Sequence, residues 1–185
     1  CMVREKVDIP VRVLLRPRAG DFLYDEDEFE LLCRQAARFA GLCADGIVIG
    51  VLTPEGALDT ERMNALMTYA DGCGVTLHRA FDVCRDPFEA LEAARQLGID
   101  TILTSGQQAA CTDGASLLRE LHEKSRGEVE IMAGAGVNAD AIRTLAPETG
   151  VRTFHLSAKK AVPGGMVFRR ENVPMGIPGL NEFEL

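Results

Sequence analysis

The chain has 185 residues, 46% apolar and 26% charged, with a net charge of −8. This is the balance of an ordinary globular domain large enough to bury a core without disulfide staples. An acidic chain lacks the basic face that nucleic acid demands, and no apolar run of ~18 residues is present, so neither nucleic acid nor membrane is an expected partner.

The opening, Cys1-Met2-Val3-Arg4, enters a helix-like stretch without a start signal and without the pattern of a secretory leader. The expectation is that the true beginning lies upstream. A first strand is predicted over residues 11–15, after which Phe29, Leu32, Cys33, Ala36 and Phe39 repeat at helical spacing. A second strand covers 46–52, and Asp59 opens a helix carrying Met63, Leu66 and Met67. The third strand is 75–80. Asp86-Pro87-Phe88-Glu89 then reads as N-cap, first helical residue and capping-box acid of a helix that buries Phe88, Leu91 and Leu97 and stops at Gly98. Strand 101–104, a helix with Leu117, Leu118 and Leu121, strand 130–133, an Asn138-capped helix with Ile142 and Leu145, and strand 153–156 follow. Residues 162–185 are rich in Gly and Pro and have no period, so an irregular C-terminal tail or loop is expected.

Strands recurring at roughly 25–35 residues, each followed by a helix, are βα units. Runs such as Ile47-Val48-Ile49 and Ile102-Leu103 are apolar on both faces, as parallel strands covered on both sides are. An open doubly wound sheet and a TIM (β/α) barrel both satisfy this α/β pattern. No G-x-G-x-x-G follows the first strand and no P-loop is present, while polar residues gather where the strands end, which favours the barrel. A barrel of this type needs about eight strands and ~250 residues. With six units visible, residues 1–185 are expected to be a single, incomplete barrel domain: a fragment, a partial representation, or a sheet completed by another chain.

The strand ends carry the candidate chemistry. Arg16 and Arg18 flank Pro17 on one side of an extended segment and form a fork suited to carboxylate or phosphate; an ion-pair network with Asp21 and the acids of the next helix is their alternative use. At the third strand end, His78 shares a face with Thr76 while Arg79 takes the opposite one, and Asp82 is placed to orient His78. Of three histidines, His78 and His155 end strands and are candidate proton-transfer groups, whereas His122, late in a polar helix, reads as surface. His78, Arg79, Asp82 and His155 are thus the candidate catalytic set. Ser105, Gly134, Gly136 and Ser157, with Arg16 and Arg18, form the candidate anion-binding set, because glycine turns and helix starts expose backbone N–H groups. Tight strand-to-helix turns explain the same glycines without a ligand. The six cysteines, Cys1, Cys33, Cys43, Cys73, Cys84 and Cys111, are widely spaced and read as reduced, mostly buried thiols of a cytoplasmic protein. Cys84, close to Asp82, is a candidate to join His78 as a metal ligand or a nucleophile.

The segments Arg16-Pro17-Arg18-Ala19-Gly20-Asp21-Phe22-Leu23-Tyr24, Leu77-His78-Arg79-Ala80-Phe81-Asp82, Ile102-Leu103-Thr104-Ser105-Gly106, Met132-Ala133-Gly134-Ala135-Gly136-Val137 and Phe154-His155-Leu156-Ser157-Ala158 together resemble the CutC family. The resemblance covers nearly the whole chain. It implies a TIM barrel, a cytoplasmic homo-oligomer and a role in copper homeostasis through bound Cu(I). The family's first two strands, each with a nearby cysteine proposed for copper, have no counterpart here. Three readings therefore stand open: a copper-binding protein, a barrel enzyme acting on a small anionic or phosphorylated metabolite, and, ranked last, a structural barrel whose polar rim only satisfies itself.

Overall fold

In the computed structural model, described for residues 2–157, 159–160 and 162–168, six strands form: β1 (Arg12–Leu14), β2 (Gly46–Ile49), β3 (Gly74–Leu77), β4 (Thr101–Thr104), β5 (Glu130–Ala133) and β6 (Thr153–Phe154). They make one parallel sheet in chain order, β1-β2-β3-β4-β5-β6. Five helices connect them: α1 (Glu26–Gly41), α2 (Thr60–Tyr69), α3 (Pro87–Leu97), α4 (Ala115–Ser125) and α5 (Ala139–Thr149). The helices start where the sequence places their caps. The Asp25 carboxylate accepts from Glu28 N at 2.8 Å while Glu28 reaches back to Asp25 N at 3.1 Å, a full capping box. Asp59, Asp86 and Asn138 cap α2, α3 and α5, and Gly98 ends α3 at φ +75°, a conformation that costs glycine least.

The strands alternate sharply. Ile47, Ile49, Val75, Leu77, Ile102, Ile131 and Ala133 face the helices and pack with Leu32, Met63, Leu66, Leu91, Leu118, Leu121 and Leu145 into one buried cluster. Each of the larger side chains, Ala133 apart, contributes about 1.5–3 kcal/mol by leaving water. The other face, Leu14, Val48, Thr76, Leu103 and Met132, borders a single cavity together with His155, just past β6. One cavity touched by both β1 and the end of β6 means that the sheet is curled inward. Among the described residues, β1 and β6 pair on one side only.

Four strands stop earlier than predicted, β1 and β6 by one and two residues and β2 and β3 by three. After β2 the chain leaves the ladder, and Leu52 forms an isolated antiparallel bridge with Leu58. After β3, His78 caps a short 3-10 helix, Arg79–Val83, by accepting Ala80 N–H on Nδ1 at 3.1 Å. That local bond replaces the next rung of the sheet. Phe88, expected in the core, remains 37% exposed, because the inward line of α3 runs through Ala90, Leu91 and Ala94. The ammonium of Lys124 covers the Phe88 ring at 5.0 Å. No helix among the described residues is long and apolar enough to cross a membrane. Cys1 and tail residues 169–185 lie outside the described residues.

Candidate functional site

The cavity, about 390 Å³, is built in tiers along the strands. At the lowest tier Arg12 pairs in register with Gly46, and Gly46 with Gly74. A Cβ at Gly46 would lie 2.9 Å from Arg12 Cγ, and one at Gly74 2.9 Å from Arg12 Nη2, so the two glycines clear the path of the guanidinium. Arg12 reaches Thr76 Oγ1 at 2.7 Å and pairs with Asp100 at 3.7 Å, closing this end. The middle tier is Leu14, Val48 and Thr76, in register. At the upper tier Arg16 and His78 meet across Phe22. The Arg16 guanidinium lies 4.8 Å from the Phe22 ring centre, which lies 4.9 Å from the His78 ring. Leu103, Met132 and His155 complete the far wall, and Arg79 the rim.

His78 is the most constrained member. It is 4% exposed and sits over Gly50, where a Cβ would fall 2.6 Å from its Cε1 and Nδ1. Burial lowers its pKa from 6.5 to about 4; its own backbone opposes the shift and the charge of Arg16 adds to it. The ring is therefore neutral near pH 7. Because Nδ1 accepts from Ala80 N, the single proton of the neutral ring lies on Nε2. Nε2 is buried and has no hydrogen-bond partner. An orphaned buried donor of this kind costs about 1–3 kcal/mol. Arg16 is also incompletely served: it donates to Gly20 O at 2.9 Å, and no carboxylate pairs with it among the described residues.

The structure separates the other candidates. Arg18 turns from the cavity into the predicted alternative, a network with Glu28 at 2.5 Å and Asp21 at 2.9 Å, with its guanidinium 5.3 Å from the Tyr24 ring centre. Those hydrogen bonds raise its pKa further. Arg79, expected on the face opposite His78, borders the same cavity, because the 3-10 turn swings it round. Asp82 does not orient His78. Its carboxylate accepts Thr104 Oγ1 at 2.5 Å, Ser105 N at 2.9 Å, Gln107 N at 3.3 Å and Arg79 Nε at 2.6 Å. Ser105 is consequently spent: its N–H serves Asp82 and its hydroxyl donates to Gln108 O at 2.5 Å. The Gly134 N–H is taken by Thr104 O at 2.9 Å. Gly134, Gly136 and Ser157 do not border the cavity. His122, expected at the surface, is half-buried against Gly150.

Arg12, Phe22, Gly50 and Met132 were assigned no role from sequence. Alternation along residues 12, 14 and 16 was the available signal for Arg12. Gly50 had none, since its need arises only when His78 arrives from the next strand.

Cu(I) favours thiolate, thioether and imidazole. The described cysteines, Cys33, Cys43, Cys73, Cys84 and Cys111, are free. Burial pushes the Cys84 thiol up to about 11, and Gln107 Nε2 contacts its sulfur at 3.4 Å. Cys84 is not part of the cavity wall, and His78 presents a proton there rather than a lone pair. The expected Cys84–His78 pair therefore does not fit copper. No group of three or more His, Cys, Asp or Glu side chains among the described residues is placed to hold a metal.

Fold and cavity together define an α/β protein of successive parallel βα units, with a ligand-sized, arginine-bearing cavity inside a curled sheet. The sequence model of the CutC family matches residues 2–160, and the chain belongs to that family. The family protein CutC of Bacteroides fragilis strain YCH46 is 46% identical over 166 residues, which cover 90% of this chain and 66% of that protein. The Porphyromonas gingivalis protein (strain ATCC 33277) is 41% identical over 175 residues, 95% of this chain and 71% of its own length. The solved structure of CutC from Streptococcus agalactiae, named for copper homeostasis, aligns with a TM-score of 0.79 at 31% identity, covering 83% of this chain and 75% of that one.

Proposed function

We propose that the protein binds a small organic anion in the inner cavity, with Arg16 and His78 as its two ligating side chains. The carrying observation is the buried, unpartnered Nε2–H of His78 beside an arginine with no carboxylate partner among the described residues. On one cavity, a donor without an acceptor stands with a guanidinium without a counter-charge, and an anion supplies both. On this reading the neutral imidazole polarises a bound oxygen without giving up its proton, and His155 at the exposed end of β6 exchanges protons with ligand or water. The reading places the chain among TIM-type barrel enzymes acting at the C-terminal strand face. The test is thermal unfolding against a panel of carboxylates, inorganic phosphate and sugar phosphates. At about 100 times Kd a ligand adds ~2.7 kcal/mol, several degrees in Tm. The expected result is a saturable rise that Arg16→Ala abolishes. A flat panel, with Arg16→Ala neutral, defeats the proposal.

Copper binding is the second reading, supported by family membership and by the name of the Streptococcus agalactiae relative. Native mass spectrometry checks it: if this chain's Cys84 and His78 carry copper, Cys84→Ser with His78→Ala lowers the bound copper. Unchanged stoichiometry removes the pair from consideration. The free thiols among the described residues support a reducing, cytoplasmic setting.

A further inference from the structure

Three arginines border the cavity, but two of them are already neutralised. Arg12 pairs with Asp100 at 3.7 Å, and Arg79 with Asp82 at 2.6 Å. Arg16 alone has no carboxylate partner among the described residues, so the cavity offers about one positive charge to a ligand. A phosphate ester carries more charge than that and is bound in barrels largely by backbone N–H groups at the strand ends. In the loop after β4, and at Gly134, those groups are occupied from within. The Asp82 carboxylate takes the N–H groups of Ser105 and Gln107, Thr104 Oγ1 takes that of Gly106 at 2.9 Å, and Thr104 O takes that of Gly134. The loop after β4 thus cradles an anion that the chain itself provides.

What remains for the ligand is different in kind. Arg16 gives a planar, charged donor and His78 a neutral one, both against the Phe22 ring. Besides the paired Arg12 and Arg79, Thr76 held by Arg12, and His155, the wall is apolar: Leu14, Val48, Leu103 and Met132. Resting on the anion-cavity reading above, we infer that the ligand is a singly charged carboxylate with an apolar body, its two oxygens divided between Arg16 and His78. One charge matches one free arginine, and a carboxylate accepts from a guanidinium and an imidazole N–H in one plane. The apolar body displaces water from the lower tiers.

The experiment is isothermal titration with phenylacetate and hexanoate, against phenyl phosphate, inorganic phosphate and neutral phenylacetamide. Phenylacetate is expected to bind on the order of tenfold or more tighter than phenyl phosphate or phenylacetamide. Arg16→Gln, at the exposed end of β1, should remove that advantage. His78→Phe should weaken phenylacetate by about tenfold, and His78→Gln, which keeps an N–H donor, should recover part of it. Tighter, Arg16-dependent binding of phenyl phosphate overturns the carboxylate assignment and leaves the anion cavity standing. Binding of phenylacetate that ignores both Arg16→Gln and His78→Phe overturns the assignment by placing the ligand elsewhere. Silence from every anion in the wild-type protein overturns the cavity reading and this inference with it.

Discussion

His78 makes the cavity sensitive to acid. Its pKa is about 4 in the folded protein against 6.5 ordinarily. As pH falls below 6.5 the unfolded chain takes the proton first, so the stability due to the neutral ring is complete above pH 6.5 and is lost on the way down to pH 4. The full loss is roughly 3 kcal/mol. Urea unfolding of the wild type should weaken across that interval, and His78→Gln should flatten the dependence; parallel pH profiles would show that burial of the ring is not the cause. Gly50→Ala pushes a methyl group into the same ring and should cost about 1–3 kcal/mol, together with loss of anion binding. Position 78 was legible as a strand-end histidine. Its tautomer was not, because that depends on where Ala80 N–H points once the 3-10 turn has formed.

Between elements, Asp82 is a staple. One carboxylate, with its side chain 5% exposed, fastens the 3-10 turn to the end of β4 through Thr104, Ser105 and Gln107. Asp82→Ala leaves those buried donors unpaired and should cost about 3–5 kcal/mol, read as a lower urea midpoint. Near-wild-type stability in that variant would contradict the staple. The helices were legible because their signals are local: the Asp25–Glu28 box, Asp86 with Pro87, and Asn138 act within one turn of chain. The face of Arg79 was misread because period-two alternation was carried through residue 80, whereas β3 ends at Leu77. Arg18 illustrates the same limit. Its fork is evident in sequence, but the choice between a ligand and Glu28 is made by how α1 packs beside β1.

For the molecule as a whole, the strand order repeats the chain order, so each βα unit rests mainly on its sequence neighbours. Protection should then be graded, as in other quasi-linear stacks. Native-state hydrogen exchange is expected to find β3 and β4 amides slowest and those of β1 and β6 faster by about a hundredfold, roughly 2.7 kcal/mol; equal protection of all six strands would mean one all-or-none unit. The parallel order was legible from the βα rhythm and the doubly apolar strands. The cavity was not, since it exists only where the sheet curls and glycines 46, 50 and 74 make room. Asp82 has one more effect at this scale. An outside anion must compete for the β4 loop against a carboxylate already on the same chain, which loses no translational freedom in binding there as a solute does. The loop should therefore ignore the ionic make-up of its medium, and concentrated phosphate should leave it as undisturbed as dilute buffer does.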